Sequence, residues 1–160
     1  MSAGRIEELS LIPRTKGCCS MFRFQITTDR RDQFIDVTDQ VREFVSQSQI
    51  QHGIVTVYSP HTTAGITINE NADPDVVHDM LLTLNRLIPR DTPGFKHAEH
   101  NSDSHVKASM MGSSCQVIID DGELVLGTWQ GIYFCEFDGP RTRTVVVKVI
   151  EQEENHLEGM

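Results

Sequence analysis

Aromatic side chains are scarce in this chain of 160 residues: seven phenylalanines, two tyrosines and one tryptophan, Trp129. So few rings leave no visible platform on which nucleic-acid bases would stack. Positive charge is short as well, 14 Lys and Arg against 23 Asp and Glu, for a formal net charge of −9. A surface of that sign repels phosphate backbones and anionic bilayers, so neither nucleic acid nor membrane is expected as a partner. No apolar run approaches the ~20 residues of a helical membrane span, and none of signal-peptide length opens the chain. The four cysteines, Cys18, Cys19, Cys115 and Cys135, make no metal-ligand spacing. Cys18 and Cys19 are adjacent and poorly placed to bridge each other, so free thiols in a reducing cytoplasm are expected. Phosphate-loop and dinucleotide fingerprints are missing, and no Ser/His/Asp or Cys/His arrangement is evident.

Histidine, by contrast, is concentrated. Of seven histidines, His97, His100 and His105 fall within nine residues, with Asn101 and Asp103 between them. Pro89, Pro93 and Gly94 mark the approach as a loop. A short helical pattern from Ser104 to Met111 follows and stops at Gly112. Imidazole is the commonest metal ligand at physiological pH, and clustering it on a loop that enters a helix is one way to build an open site. The competing reading is a solvated, histidine-rich surface loop.

The periodicity places the other elements. Residues 5–13 give a first strand, Lys16-Gly17 a turn, and Met21 to Thr27 a half-buried strand with Phe22, Phe24 and Ile26 on one face. Thr38-Asp39 opens a helix with an N-cap hydroxyl and an acid in its first turn. Ile54 to Tyr58 reads as a core strand. Ser59-Pro60-His61-Thr62-Thr63 ends it, and Ile66 to Glu70 follows as another. Asp73-Pro74 starts a helix whose apolar spacing runs to Pro89. His78 on this helix reads as a surface or structural histidine. After the histidine loop the pattern is β: Cys115 to Ile119, a turn at Asp120-Asp121-Gly122, Glu123 to Leu126, Ile132 to Phe137, and Thr144 to Ile150. The expected fold class is α+β, a mostly antiparallel sheet or sandwich with helices on one face. One domain covers residues 1–150, and residues 151–160 form an acidic tail expected to fray.

Six segments in one order then carry a family resemblance. They are His61-Thr62-Thr63-Ala64, Asn69-Glu70-Asn71-Ala72-Asp73-Pro74, the His97/Asn101/His105 loop running into Val106-Lys107-Ala108-Ser109, Gly112-Ser113-Ser114, Gly127-Thr128-Trp129-Gln130-Gly131, and Glu136-Phe137-Asp138-Gly139-Pro140-Arg141. Across about residues 5–150 the chain resembles the YjbQ family of secondary thiamine-phosphate synthase-like proteins. The resemblance implies a small α+β protein forming homotrimers, with sheets meeting around a threefold axis. It implies a transferase that joins a pyrimidine pyrophosphate to a thiazole phosphate, releasing pyrophosphate. The alternative is a non-catalytic trimer that binds a metal or phosphometabolite, with incidental synthase activity.

Site expectations follow. His61, His97 and His105 are candidate ligands of a zinc-like divalent ion, leaving a fourth position open; His100 is the alternative ligand. Magnesium is a further candidate, accompanying pyrophosphate. His105 and Glu70 are the candidate catalytic residues, Glu70 as an acid/base or as the partner of a ligating imidazole. Arg141 and Arg143, with Ser113 and Asn101, are candidate phosphate or substrate contacts. The arginines have a competing reading, ion pairs with carboxylates such as Glu136. Lys107, a lone lysine on a short helix, is expected to be solvated. Asp73 reads better as a helix cap than as a catalytic acid, and Trp129 as a packing anchor.

Overall fold

The structure, a computed structural model, describes residues 5–12 and 19–152. The expected turn at Lys16-Gly17, the tail beyond residue 152, Cys18 and His156 lie outside the described residues. In chain order the elements are β1 (Arg5–Ile12), β2 (Cys19–Thr27), β3 (Gln33–Asp36), α1 (Thr38–Ser48), β4 (Gly53–Tyr58), β5 (Ala64–Glu70), α2 (Pro74–Leu87), α3 (Ser102–Met111), β6 (Ser114–Asp120), β7 (Glu123–Leu124), β8 (Gln130–Glu136) and β9 (Thr142–Glu151).

Alternation decides which faces meet. Phe22, Phe24 and Ile26 of β2, Val55 and Val57 of β4, and Val145, Val147 and Val149 of β9 all point to one side and are buried, as a period of two requires. These strands belong to a six-stranded antiparallel sheet, ordered β1-β2-β9-β4-β6-β7. A second antiparallel sheet, β3-β8-β5, lies against that buried face. Its Ile66, Ile132 and Phe134 share one core with the large sheet and with Val41, Phe44 and Val45 of α1. Phe22 and Phe44 stack there with ring centres 4.8 Å apart. The other face of the small sheet carries Tyr133 and Cys135, which pack with Phe137, Leu84 of α2 and Ala108 of α3 into a second core. The result is an α+β sandwich whose α2 and α3 cover one side.

Two local expectations change. Val37, not Thr38, occupies the cap position of α1. The Asp36 carboxylate accepts the Thr38 N–H at 2.8 Å, while the Thr38 hydroxyl accepts the Ile132 N–H at 2.8 Å. An acceptor two residues earlier has displaced the hydroxyl, which ties α1 to β8 instead. Strand β3 escaped the sequence pattern because four residues carry too little alternation to register. Asp73, by contrast, caps α2 through the Asp75 N–H at 2.9 Å.

One contact positions the site. A Cβ on Gly65 would stand 2.7 Å from the Gly112 carbonyl oxygen and 2.9 Å from Met111 Cβ. Only glycine lets the end of α3 sit this close on β5. The Ile66 N–H donates to the Gly112 carbonyl at 2.9 Å, and the Ser59 N–H donates to the Ser113 carbonyl at 2.8 Å. Helix α3 is thereby held over the loop that joins β4 to β5. No helix among the described residues is long and apolar enough to cross a membrane.

Candidate functional site

That junction lines an open cavity of about 660 Å³. One wall is the β4–β5 loop, with Tyr58, Ser59, Pro60, His61 and Thr62. The other is a single face of α3, with His105, Ala108, Ser109 and Gly112 at helical spacing, continued by Ser113. Two imidazoles from distant parts of the chain therefore share one space, among hydroxyls and backbone.

His61 owes its placement to the end of β4. Strand β4 pairs with β9 as far as Tyr58 opposite Val146. Continuing that register would set Pro60 against Thr144, and proline has no N–H for a ladder. The His61 ring takes the vacated position: the Thr144 N–H donates to Nε2 at 2.9 Å, and the Thr144 carbonyl lies 3.1 Å from the same nitrogen. Burial lowers the pKa of His61 below the ordinary histidine value, and nearby Arg143 adds to that effect. The ring is held neutral near pH 7.

Arg143 does not reach the cavity as a free cation. Its Nε and Nη2 donate to the two carboxylate oxygens of Glu136 at 2.7 and 2.6 Å, and both side chains are buried. Nη2 also donates to Thr63 Oγ1 at 2.7 Å. Glu136 accepts further from the Phe137 and Asp138 N–H groups at 3.1 and 2.9 Å. Of the two readings of Arg143, the ion pair is the one the fold adopts. Arg141 is half-exposed, its Nη2 donating to Asp138 at 2.9 Å; its charge is felt at His61.

His105 lines the cavity, and its ring meets that of His97 edge to face, with centres 5.3 Å apart. His97 is exposed, with Nε2 3.9 Å from a Glu99 oxygen. The three candidate ligands are thus a cavity pair plus a neighbour. Among the described residues, only His52, Asp120 and Asp121 bring three donors of this kind within 4.8 Å of one another, and all three are exposed. A zinc-like ion accordingly finds no preformed three-nitrogen seat at positions 61, 97 and 105. His100 is exposed, with φ of 53° and its N–H donating to the His97 carbonyl at 3.2 Å, which shapes the loop. His78 is exposed beside Asp79.

The other candidates divide. Ser113 lines the cavity. Asn101 is buried, its Nδ2 donating to Asp138 at 2.9 Å and to Glu99 at 3.4 Å, while Oδ1 has no partner among the described residues. Glu70 stands at the far end of β5 from the cavity-side residue Ala64, about 20 Å along the strand. There its carbonyl accepts the Tyr133 hydroxyl at 3.0 Å. Trp129 is exposed. Lys107 reverses its expectation: it is 1% exposed, and Nζ donates to Asn85 at 2.6 Å and to Asp103 at 3.1 Å. Arg31 grips the same Asp103 carboxylate through two bonds of 2.9 and 3.0 Å. Burial would raise the pKa of Asp103, but hydrogen bonds from Arg31 and Lys107 outweigh it and hold the group below the carboxylate range. The spacing of Asp103 and Lys107, four apart on one helix, was the available signal for that pair.

The YjbQ family profile, described as UPF0047 protein YjbQ-like, matches residues 22–152. The chain belongs to the YjbQ family. It is 52% identical over 130 residues to the UPF0047 protein MJ1081 of Methanocaldococcus jannaschii, covering 81% of this chain and 94% of that one. Against the UPF0047 protein YugU of Bacillus subtilis it is 52% identical over 126 residues, covering 79% and 96%. Solved YjbQ structures share the fold. A conserved, uncharacterized family protein from Clostridium acetobutylicum matches with TM-score 0.79 and 55% identity, over 81% of this chain and 99% of its own. A family-like protein of unknown function from Sulfolobus solfataricus matches with TM-score 0.80 and 30% identity, over 84% and 98%.

Proposed function

We propose that this YjbQ protein is a transferase acting on small phosphorylated heterocycles, with thiamine-phosphate synthesis from a pyrimidine pyrophosphate and a thiazole phosphate as its named reaction. The observation that carries the reading is the shared cavity. His61 and His105 face one space of about 660 Å³, within the size range of small-molecule pockets. A neutral His61, the hydroxyl of Ser113, and His105 supply hydrogen-bond donors where charge would gather on a departing pyrophosphate, while the Ser109 hydroxyl donates to the His105 carbonyl at 2.9 Å. A divalent cation, magnesium or zinc-like, belongs to the proposal as the counter-ion of the pyrophosphate, whose charge it would neutralise.

Self-association forms part of the same proposal. Ile54 lies opposite Ile118 on one side and Ile150 on the other, across three neighbouring strands. The three are 43%, 60% and 46% exposed on the outer face of the large sheet. An exposed apolar row of this kind supports the proposed homotrimer.

The test is pyrophosphate release from the two thiamine precursors by purified protein and by His105→Ala. The proposal expects turnover to fall by about a hundredfold with the fold intact, the scale of losing an electrostatic stabiliser. Equal rates in the two proteins would favour the binding-protein alternative.

A further inference from the structure

We infer that His61 serves the cavity as a neutral hydrogen-bond donor, presenting Nδ1–H to a ligand oxyanion, and that Arg143 is the positioning residue that fixes it so. The inference rests on the reading of the cavity as a phosphate site. Its starting point is the backbone of Thr144. A main-chain N–H left without an acceptor is rarer and costlier than an under-used carbonyl, which has two lone pairs. Where β4 has turned away, His61 Nε2 lies 2.9 Å from the Thr144 nitrogen and 3.1 Å from the Thr144 carbonyl oxygen, and of the two it is the N–H that the ring must serve, as its acceptor. A nitrogen that accepts there carries no proton, so in the neutral ring the proton sits on Nδ1. His61 lines the cavity, and Nδ1 is the nitrogen left to serve it. An N–H suits a phosphate oxygen and repels a metal cation.

The clamp behind the ring is built for this. Consecutive residues of β9 hold the loop at two points: Thr144 at the His61 ring and Arg143 at Thr63 Oγ1, the latter at 2.7 Å. Arg143 is itself fixed by both oxygens of Glu136. Glu136 also accepts the Phe137 and Asp138 N–H groups, so its carboxylate ties the Arg143 guanidinium to the turn after β8, and Arg143 in turn holds Thr63 on the loop beside the cavity.

Histidine-ring ¹⁵N spectra of labelled protein, with inorganic pyrophosphate and with Zn²⁺ as separate probes, test the inference. In the free protein at pH 7 the His61 signals should show Nδ1 protonated and Nε2 bare; the reverse tautomer would overturn it. Pyrophosphate should shift the Nδ1–H resonance. His61→Ala should bind pyrophosphate about tenfold more weakly, the scale of one hydrogen bond to a charged group. His61→Asn, whose amide places an N–H near the Nδ1 position, should recover much of that loss. Thr63→Val, which removes one bond of the clamp and leaves Arg143 and Glu136 paired, should broaden the His61 ring signals and weaken pyrophosphate binding several-fold. Zn²⁺ that displaces the Nδ1 proton would overturn the donor assignment in favour of metal ligation. Pyrophosphate bound equally well by His61→Ala would also overturn it, while leaving the cavity reading in place. Pyrophosphate that fails to bind the wild-type protein would overturn both.

Discussion

Buried charge dominates at the scale of single residues. Lys107, Asp103 and Arg31 form one network, Glu136 and Arg143 another. Removing one member of a buried pair strands the other without solvent, which costs about 3 kcal/mol or more. Lys107→Ala leaves Asp103 paired with Arg31 but opens a buried void and takes the donor from Asn85, so unfolding stability should fall by about 2 kcal/mol in urea titrations, beyond what a solvated lysine would give. The pH dependence has a definite sign. Asp103 is held below its ordinary value in the folded chain, so its contribution is complete above the unfolded value of about 3.9 and is lost as pH falls through the folded one. Asp103→Asn should flatten that part of the acid limb. The sequence disclosed the charges but not their burial, because single lysines and arginines on short elements are ordinarily solvated. His61 and His105 were legible as candidates from residue type and motif. The tautomer of His61 was not, since it depends on a strand register that leaves Thr144 facing the ring.

At the scale of elements, the cavity exists because α3 rests on β5. Gly65→Ala would drive a methyl group into the Gly112 carbonyl, 2.7 Å from the ideal Cβ position. Backbone on one side and strand on the other leave little room to yield. The substitution should cost about 1–3 kcal/mol and weaken pyrophosphate binding by displacing the wall that carries His105; thermal melts and titration calorimetry read the two effects. Long elements were readable in advance. Helix α2 announces itself through Asp73-Pro74 and an apolar stripe, β2 through clean alternation, and β4 and β9 through runs of β-branched residues. Strand β3 and the cap of α1 were not, because both are fixed by partners far along the chain: β3 pairs with β8, and the Thr38 hydroxyl binds Ile132. Glu70 shows the same limit in the site. A motif places it near His61 in sequence, but β5 carries it away from the cavity.

For the whole molecule, a two-sheet sandwich leaves the outer face of the large sheet open. Ile54, Ile118 and Ile150 lie side by side there. If that row is the trimer contact, Ile54→Lys should yield a monomer by light scattering with the fold retained by circular dichroism, since a central charge is not tolerated in a desolvated interface. An unchanged mass would remove this face from the interface. The α+β class was legible from the order of elements; which face stays uncovered was not, because it follows from strand order, and β9 enters the sheet between β2 and β4. The central claim, that the space between His61 and His105 is where the protein holds its phosphorylated ligand, is tested most directly by a crystal structure grown with inorganic pyrophosphate. The account predicts the anion inside the cavity, within hydrogen-bond reach of His61 Nδ1 and the His105 ring. An anion bound elsewhere, at Arg141 or another exposed cation, with the cavity holding solvent alone, would contradict it.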